Sequence, residues 1–358
     1  MDEPSFVGSA HAASVLRALL VAAAVAVAVA ALLGKAPAAG GGMAVRAAAA
    51  PWRSAPPPPL TLKQRLECWA DASKKGGTWI AAAPLYNTTA GYYGRTHYRL
   101  VPAPESSWSW QPAARCREPG RPFIRAESCS LLSGRALLVV GDSLSSEVFF
   151  SLANALAESF EQLDLTFSTD TIRVCSGTLQ LDYVRNDRVS LVREVRMEGG
   201  YAHEEFPWVT RLEKKGFDFV LLNRGAHFEN DTIVLRAVEE ALAFAEAAAP
   251  AATIVWHTTA RGQLDTDKHF DDEPLKEDLG PDELAKLPHH WGLFGAQNAA
   301  ILDLIARHFP HVVVLDVAPA LGLRRDHHVD GLHCVMPGPL DHVAETLLHY
   351  LPDLLEAA

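Results

Sequence analysis

The sequence predicts an α/β fold, a three-layer α/β/α sandwich around a mostly parallel sheet, with an N-terminal transmembrane helix ahead of it. Two observations carry the prediction. From residue 135 onward, four short apolar runs alternate with stretches of helical periodicity, the pattern of β-α units stacked on a parallel sheet. Near the N-terminus, residues 18–33 form an unbroken run of Ala, Val and Leu preceded by Arg17, somewhat short of the about 20 residues a spanning helix needs.

The elements follow in chain order. Residues 1–17 are a short tail and residues 18–34 a signal-anchor helix, giving the chain a membrane as partner; a cleaved signal peptide is the alternative, since Ala36, Ala38 and Ala39 follow. Residues 35–60 are rich in Gly, Ala and Pro, with Pro56 to Pro59 consecutive, and read as an extended stem. Residues 61–134 carry Trp, Tyr, Gly, Pro and three cysteines without a long periodic run, and read as a loop-rich cap.

Residues 135–358 form the catalytic body. Strands are expected at 136–141 (ALLVVG), 217–223 (FDFVLLN), 252–257 (ATIVWH) and 312–317 (VVVLDV), apolar on both faces as buried parallel strands must be. Helices are expected at 146–159, 233–248, 296–308 and 339–350, where apolar residues recur every three or four positions, as Val148, Leu152 and Leu156 do. The acidic stretch 262–288 is too long for an ordinary connection and reads as a lid or substrate loop.

Charge and cysteines bound the function. A formal net charge of −11 without clustered Lys and Arg argues against nucleic acid as a partner. Five cysteines (Cys68, Cys116, Cys129, Cys175, Cys334) and two glycosylation sequons, at Asn87 and Asn230, follow the apolar run. They point to a lumenal body in which four of the cysteines make two disulfides of open connectivity.

Chemistry gathers at three places. The first body strand ends in Gly141-Asp142-Ser143 and runs into a helix, so Ser143 sits where unpaired backbone N–H groups favour developing negative charge. A plain helix N-cap is the competing reading. A serine needs a base, and Asp330-Gly331-Leu332-His333 offers one: the spacing of three brings a carboxylate beside an imidazole. This lies just after the last strand, at the carboxyl edge of the sheet where Ser143 also lies. The third place is Asn223-Arg224-Gly225-Ala226-His227, where an Asn at a strand end can aim its amide at an oxyanion and Gly225 permits close approach. Arg224 and His227 are substrate contacts or merely solvated.

These residues resemble the SGNH (GDSL-like) superfamily and, within it, the PC-esterase group with the trichome-birefringence-like polysaccharide O-acetyltransferases. The likeness runs from about Trp108 to Leu351 and rests on Trp108-Ser-Trp-Gln-Pro112, on LLSGRALLVVGDSLS at 131–145, on Asn223-x-Gly225-x-His227, and on Asp330-x-x-His333 with Pro337-Gly338. The resemblance implies Ser143 as nucleophile, His333 as base, Asp330 as its partner and Asn223 as an oxyanion donor, with Gly177 standing for a further glycine of the superfamily. It implies no bound cofactor. An acetyl-group carrier serves as acyl donor, a glycan or polysaccharide hydroxyl as acceptor, and the chain is a single-pass type II protein of the Golgi or secretory-pathway membrane. Only Cys334 follows His333, where plant members carry a second cysteine in that block, and the Asp-Gly-Leu-His ending also resembles the animal sialic-acid acetyltransferases.

Other classes compete. A carbohydrate acetylesterase would use the same triad with water as acceptor. A metal site would draw on Asp326, His327, His328, Asp330, His333 and Cys334, yet no His-Glu-x-x-His or Cys-x-x-Cys is present, and the expectation is no metal. A carbohydrate-binding module would use the Trp-rich cap.

Overall fold

The structure, a computed structural model, describes residues 61–75, 77–86, 107–112, 123–157, 161–165, 169–191, 207–264 and 272–357. The expected signal-anchor at 18–34, the stem, Asn87 and Cys116 lie outside these residues. No helix among those described is long and apolar enough to cross a membrane.

In chain order the elements are α1 (Leu62–Lys75), β1 (Thr78–Ala82), β2 (Ser107–Gln111), α2 (Arg125–Leu132), β3 (Ala136–Gly141), α3 (Ser143–Leu156), β4 (Glu161–Leu165), β5 (Thr169–Val174), β6 (Leu179–Arg185), α4 (Trp208–Lys214), β7 (Phe219–Leu222), α5 (Asp231–Ala248), β8 (Thr253–His257), α6 (Pro281–Leu284), α7 (Phe294–His308), β9 (Val313–Leu315), α8 (Ala318–Leu321) and α9 (Asp341–Ala357). The chain is a mixed α/β fold. β4-β5-β6-β3-β7-β8-β9 form a seven-stranded sheet in that order. β6, β3, β7, β8 and β9 run parallel, and β4 and β5 are added antiparallel at one edge.

The strand pleat explains the layers. Successive side chains of a strand face opposite ways, and on β3 Leu137 and Val139 join one apolar cluster while Leu138 and Val140 join another. The first cluster takes α3 and α9 against the sheet, through Val148, Leu152, Val343 and Leu347. The second takes α4, α5 and α7, through Trp208, Val238, Leu242, Ile301 and Ile305. Both faces of the central strands are thus covered, which is why their sequences are apolar throughout rather than alternating.

The four expected strands and four expected helices are all present, most within three residues of their expected ends, while the last helix runs seven residues past its expected end at Tyr350, through Pro352, to Ala357. Three further strands, β4 to β6, were not expected. β5 (TDTIRV) and β6 (LQLDYVR) mix Thr, Asp, Arg and Gln with apolar residues without strict alternation, and pairing across the sheet, rather than local apolarity, makes them strands. The cap is also less irregular than expected. It contains α1, α2 and a two-stranded antiparallel sheet of β1 and β2, fastened to the C-terminal part of the chain. Trp79 Nε1 donates to Ala320 O at 3.0 Å, Tyr86 Oη to Asp341 Oδ1 at 2.9 Å and Ser109 Oγ to Glu345 at 2.8 Å.

Cys129 on α2 and Cys175 in the β5–β6 turn form a disulfide, with Cα atoms 5.2 Å apart. Cys68 is disulfide-bonded, and Cys334 is a buried free thiol. Asn230 is exposed and caps α5, its side chain accepting from Thr232 N.

Candidate active site

The order of strands decides where a site can form. β3, the first parallel strand, lies mid-sheet; the chain next adds β6 on one side and then crosses to add β7 on the other. Such a switch point opens a crevice beyond the carboxyl ends of the strands. β3 ends there at Gly141, and the chain turns at Asp142 into α3, with Ser143 its first residue.

Asp142 makes this turn rigid. It is fully buried, its Oδ1 accepts from Leu144 N at 3.0 Å and its Oδ2 from Ala226 N at 2.7 Å. Tyr183 Oη donates to its backbone carbonyl at 2.8 Å. The N-cap reading of the sequence therefore applies to Asp142, and Ser143 is left with a side chain not used in capping and an N–H that the helical ladder cannot use. Gly225 faces the same carboxylate: it has φ +77°, and a Cβ there would overlap Asp142. A side chain at position 225 would be strained and would also displace the clamp.

Ser143 Oγ lies 2.7 Å from His333 Nε2, and His333 Nδ1 lies 2.8 Å from Asp330 Oδ2. Asp330 Oδ1 also accepts from the backbone N–H groups of Leu332 at 3.1 Å and His333 at 2.9 Å. Partial burial pushes the Asp330 carboxyl up, but the imidazole and these two donors outweigh it and hold the group well below the usual carboxylate range. An ionised Asp330 can only accept, so Nδ1 carries the hydrogen and Nε2 is the acceptor facing the Ser143 hydroxyl. The arrangement can take a proton from Ser143, hold the resulting imidazolium beside a carboxylate, and return the proton.

Other expected site residues are placed differently. Asn223 is buried, and Nδ2 donates to His257 O at 2.8 Å and to Thr259 Oγ1 at 3.0 Å, so both amide hydrogens are used inside the fold. It is not free to serve as the expected oxyanion donor; its side chain ties the end of β7 to the end of β8. Gly177 lies in the turn before β6, whose register with β3 puts it at the end of the sheet away from Ser143. The chain beyond the carboxyl end of β6 reads Asn186-Asp187-Arg188, with no glycine to take that place.

Arg224 is buried rather than solvated, donating to Asp187 O at 2.7 Å and pairing with Glu229. His227 is partly exposed, its Nε2 3.6 Å from Asp187 Oδ2 and 3.8 Å from Asp142 Oδ2. Burial, opposed by the bond from Arg185, raises the Asp187 carboxyl.

The acidic stretch after Gly262 is tied to the loop that carries Asp330 and His333. Gln263 N donates to Gly331 O at 2.6 Å, Arg261 binds Asp278 at 2.8 Å, and Arg325 pairs with Asp272 at 2.8 Å. The residues of the alternative metal site separate into two groups. Asp326 binds Arg324 at 2.6 Å and His327 at 2.8 Å, whereas His333 meets Ser143 and Asp330 lies behind it on Nδ1. Among the described residues no three His, Cys, Asp or Glu side chains are gathered to hold a metal. A cavity of about 360 Å³ lies between the cap sheet and α9, lined by Trp108, Arg324, His327 and Glu345; neither Ser143 nor His333 reaches it.

Two buried histidines supply a pH test. Burial holds His257 and His328 down at about 4, against 6.5 in the unfolded chain. Between these values the unfolded state binds the proton that the folded state refuses, so their contribution is lost as pH falls from about 6.5 to 4. His257→Leu is expected to gain on the wild type across that window, by an amount of order 3 kcal/mol at its acid end. Urea unfolding midpoints of the two proteins, measured at pH 7 and pH 4.5, check this.

No model of a known family and no curated protein matches the chain. Three solved structures have a similar course of the backbone. A carbohydrate esterase of family 3 from Talaromyces cellulolyticus is 14% identical, covering 61% of this chain and 99% of its own, at a TM-score of 0.39. The periplasmic domain of a lipopolysaccharide acetyltransferase from Salmonella ser. Paratyphi A is 12% identical, covering 62% and 86%, at 0.37. A peptidoglycan O-acetylesterase is 11% identical, covering 65% and 95%, at 0.39. At these values the likenesses assign no role to any residue of this chain.

Proposed function

We propose that the chain is a serine-dependent O-acyltransferase that moves an acetyl group from a carrier to a glycan or polysaccharide hydroxyl. The observation that carries this reading is the unbroken line from Ser143 Oγ to His333 Nε2 and from His333 Nδ1 to Asp330, at 2.7 and 2.8 Å, across 190 residues of sequence. In the reaction His333 takes the Ser143 proton as Oγ attacks the acyl carbonyl, and Asp330 steadies the imidazolium. The Ser143 N–H, at the positive end of α3, meets the developing oxyanion. The proton passes to the departing carrier, leaving acyl-Ser143. His333 then activates the acceptor hydroxyl, which attacks the ester and frees the serine. With water as acceptor the same steps make an acetylesterase.

The polysaccharide acceptor is supported by the resemblance of the motifs, and the negative net charge speaks against nucleic acid. We also propose a type II Golgi or secretory-pathway membrane protein with a lumenal body. The apolar run at 18–34, the two sequons and the Cys129–Cys175 disulfide support that placement, since disulfides persist in oxidising compartments.

The test is intact-mass analysis after incubation with an activated acetyl ester. One acetyl adduct is expected, on the peptide containing Ser143 and absent from Ser143→Ala. Adding acceptor glycan should discharge it onto sugar rather than into free acetate. An adduct elsewhere would remove the reading, and discharge into acetate alone would favour the esterase.

A further inference from the structure

Helix α3 buries a carboxylate that this chemistry does not use. Glu147 stands one turn beyond Ser143 on the same face of the helix and is 1% exposed. Opposite it, the loop carrying Asp330 and His333 doubles back on itself. Val329 N donates to His333 O at 2.7 Å and Val335 N to His327 O at 2.9 Å, so His328 and Cys334 lie across from each other in an antiparallel bridge. The central residues of such a pair turn their N–H groups away from one another. Cys334 is 3% exposed, so its N–H is a buried donor in need of an acceptor. Glu147 supplies one, its two oxygens lying 3.1 and 3.4 Å from Cys334 N.

A closed circuit results: Ser143 to His333 through their hydrogen bond, His333 to Cys334 through the peptide bond, Cys334 to Glu147 through the N–H, and Glu147 to Ser143 through one rigid helical turn. We infer that Glu147 is a positioning residue, which sets the distance between the base and the nucleophile by holding Cys334 N–H. The inference rests on the acyl-transfer reading above. Burial, and then repulsion from Asp142, Asp330 and Asp341, pushes the Glu147 carboxyl well up, opposed by the Cys334 N–H. The partner is an N–H donor, so the contact requires an acceptor oxygen at this reach.

Three variants separate reach, acceptor and charge. Glu147→Gln keeps an acceptor at the same length and should keep kcat within about threefold. Glu147→Leu removes the acceptor, and Glu147→Asp draws it back by about 1.5 Å. Both should lose kcat by roughly 10- to 100-fold, the scale of a misplaced reacting group, with KM little changed. Exchange of the Cys334 amide, followed by NMR, should quicken in Glu147→Leu and not in Glu147→Gln. If Glu147→Leu does not fold, the Gln and Asp variants decide.

Wild-type kcat in Glu147→Leu, an equal loss in Glu147→Gln, or KM rising in step with the loss overturns the inference. Ser143→Ala assayed alongside keeps the two readings apart. Turnover surviving in it removes the acyl-serine reading, and the Cys334 exchange then decides Glu147 alone. A dead Ser143→Ala beside a fully active Glu147→Leu removes only the positioning role.

Discussion

Ser143→Ala and His333→Ala are each expected to lower acyl turnover by roughly 10⁴-fold or more, with Asp330→Asn somewhat milder. The cause is the single proton path through Ser143 Oγ, His333 Nε2 and Nδ1, and Asp330. Once either of the first two is gone, the other has nothing to do. The Ser143→Ala/His333→Ala double variant should therefore keep nearly the same residual rate as either single one, since losses within one working unit do not add. Asp330→Asn keeps an oxygen for the Leu332 and His333 N–H groups but offers the imidazole a weaker partner. Initial rates with an activated acetyl ester check these values, with circular dichroism confirming the fold. A double variant falling far below both single ones would mean that the residues act separately.

The second large effect concerns stability. Arg324 is 2% exposed and Asp326 is fully buried; they meet through two bonds of 2.6 Å, with His327 on Asp326 at 2.8 Å and Arg324 stacked over Trp79 at 4.6 Å. Arg324→Leu leaves a buried carboxylate without its main counter-charge, which costs about 3–5 kcal/mol. In a domain of this size that lowers Tm by roughly 5–10 °C. Arg324→Leu/Asp326→Leu should recover much of the loss, because burying no charge is cheaper than burying one alone. Burial raises the Asp326 carboxyl, but the bonds from Arg324 and His327 prevail and depress it well below its ordinary 3.8. Its contribution is therefore present above about pH 4 and fades as pH falls further, in the wild type and not in the double variant. Thermal melts of the three proteins at pH 7 and pH 3.5 read both effects.

The residues themselves determined the parallel core and the order of the chemistry. β3 runs from Ala136 to Gly141 as its apolar run does, and β7, β8 and β9 fall within runs that could be read locally. Strands buried on both faces are apolar throughout, and helices packed on one face repeat every three or four residues, so both carry their burial in their own letters. Asp330 and His333 were legible as a pair because a spacing of three within one tight turn places them together whatever the rest of the chain does.

Tertiary structure alone decided the remainder. β4, β5 and β6 form an antiparallel edge whose half-polar strands become strands only by pairing. Asn223 spends its amide on the end of β8, and Gly177 sits at the far end of β6, because an orientation or a sheet end depends on which strand lies alongside. Glu147 reads in sequence as one more charged residue on a helix. It becomes the acceptor for Cys334, 187 residues away, only once the switch in strand order brings α3 and the last loop to the same crevice. Local periodicity reports what a segment buries, and not which distant segment it is buried against.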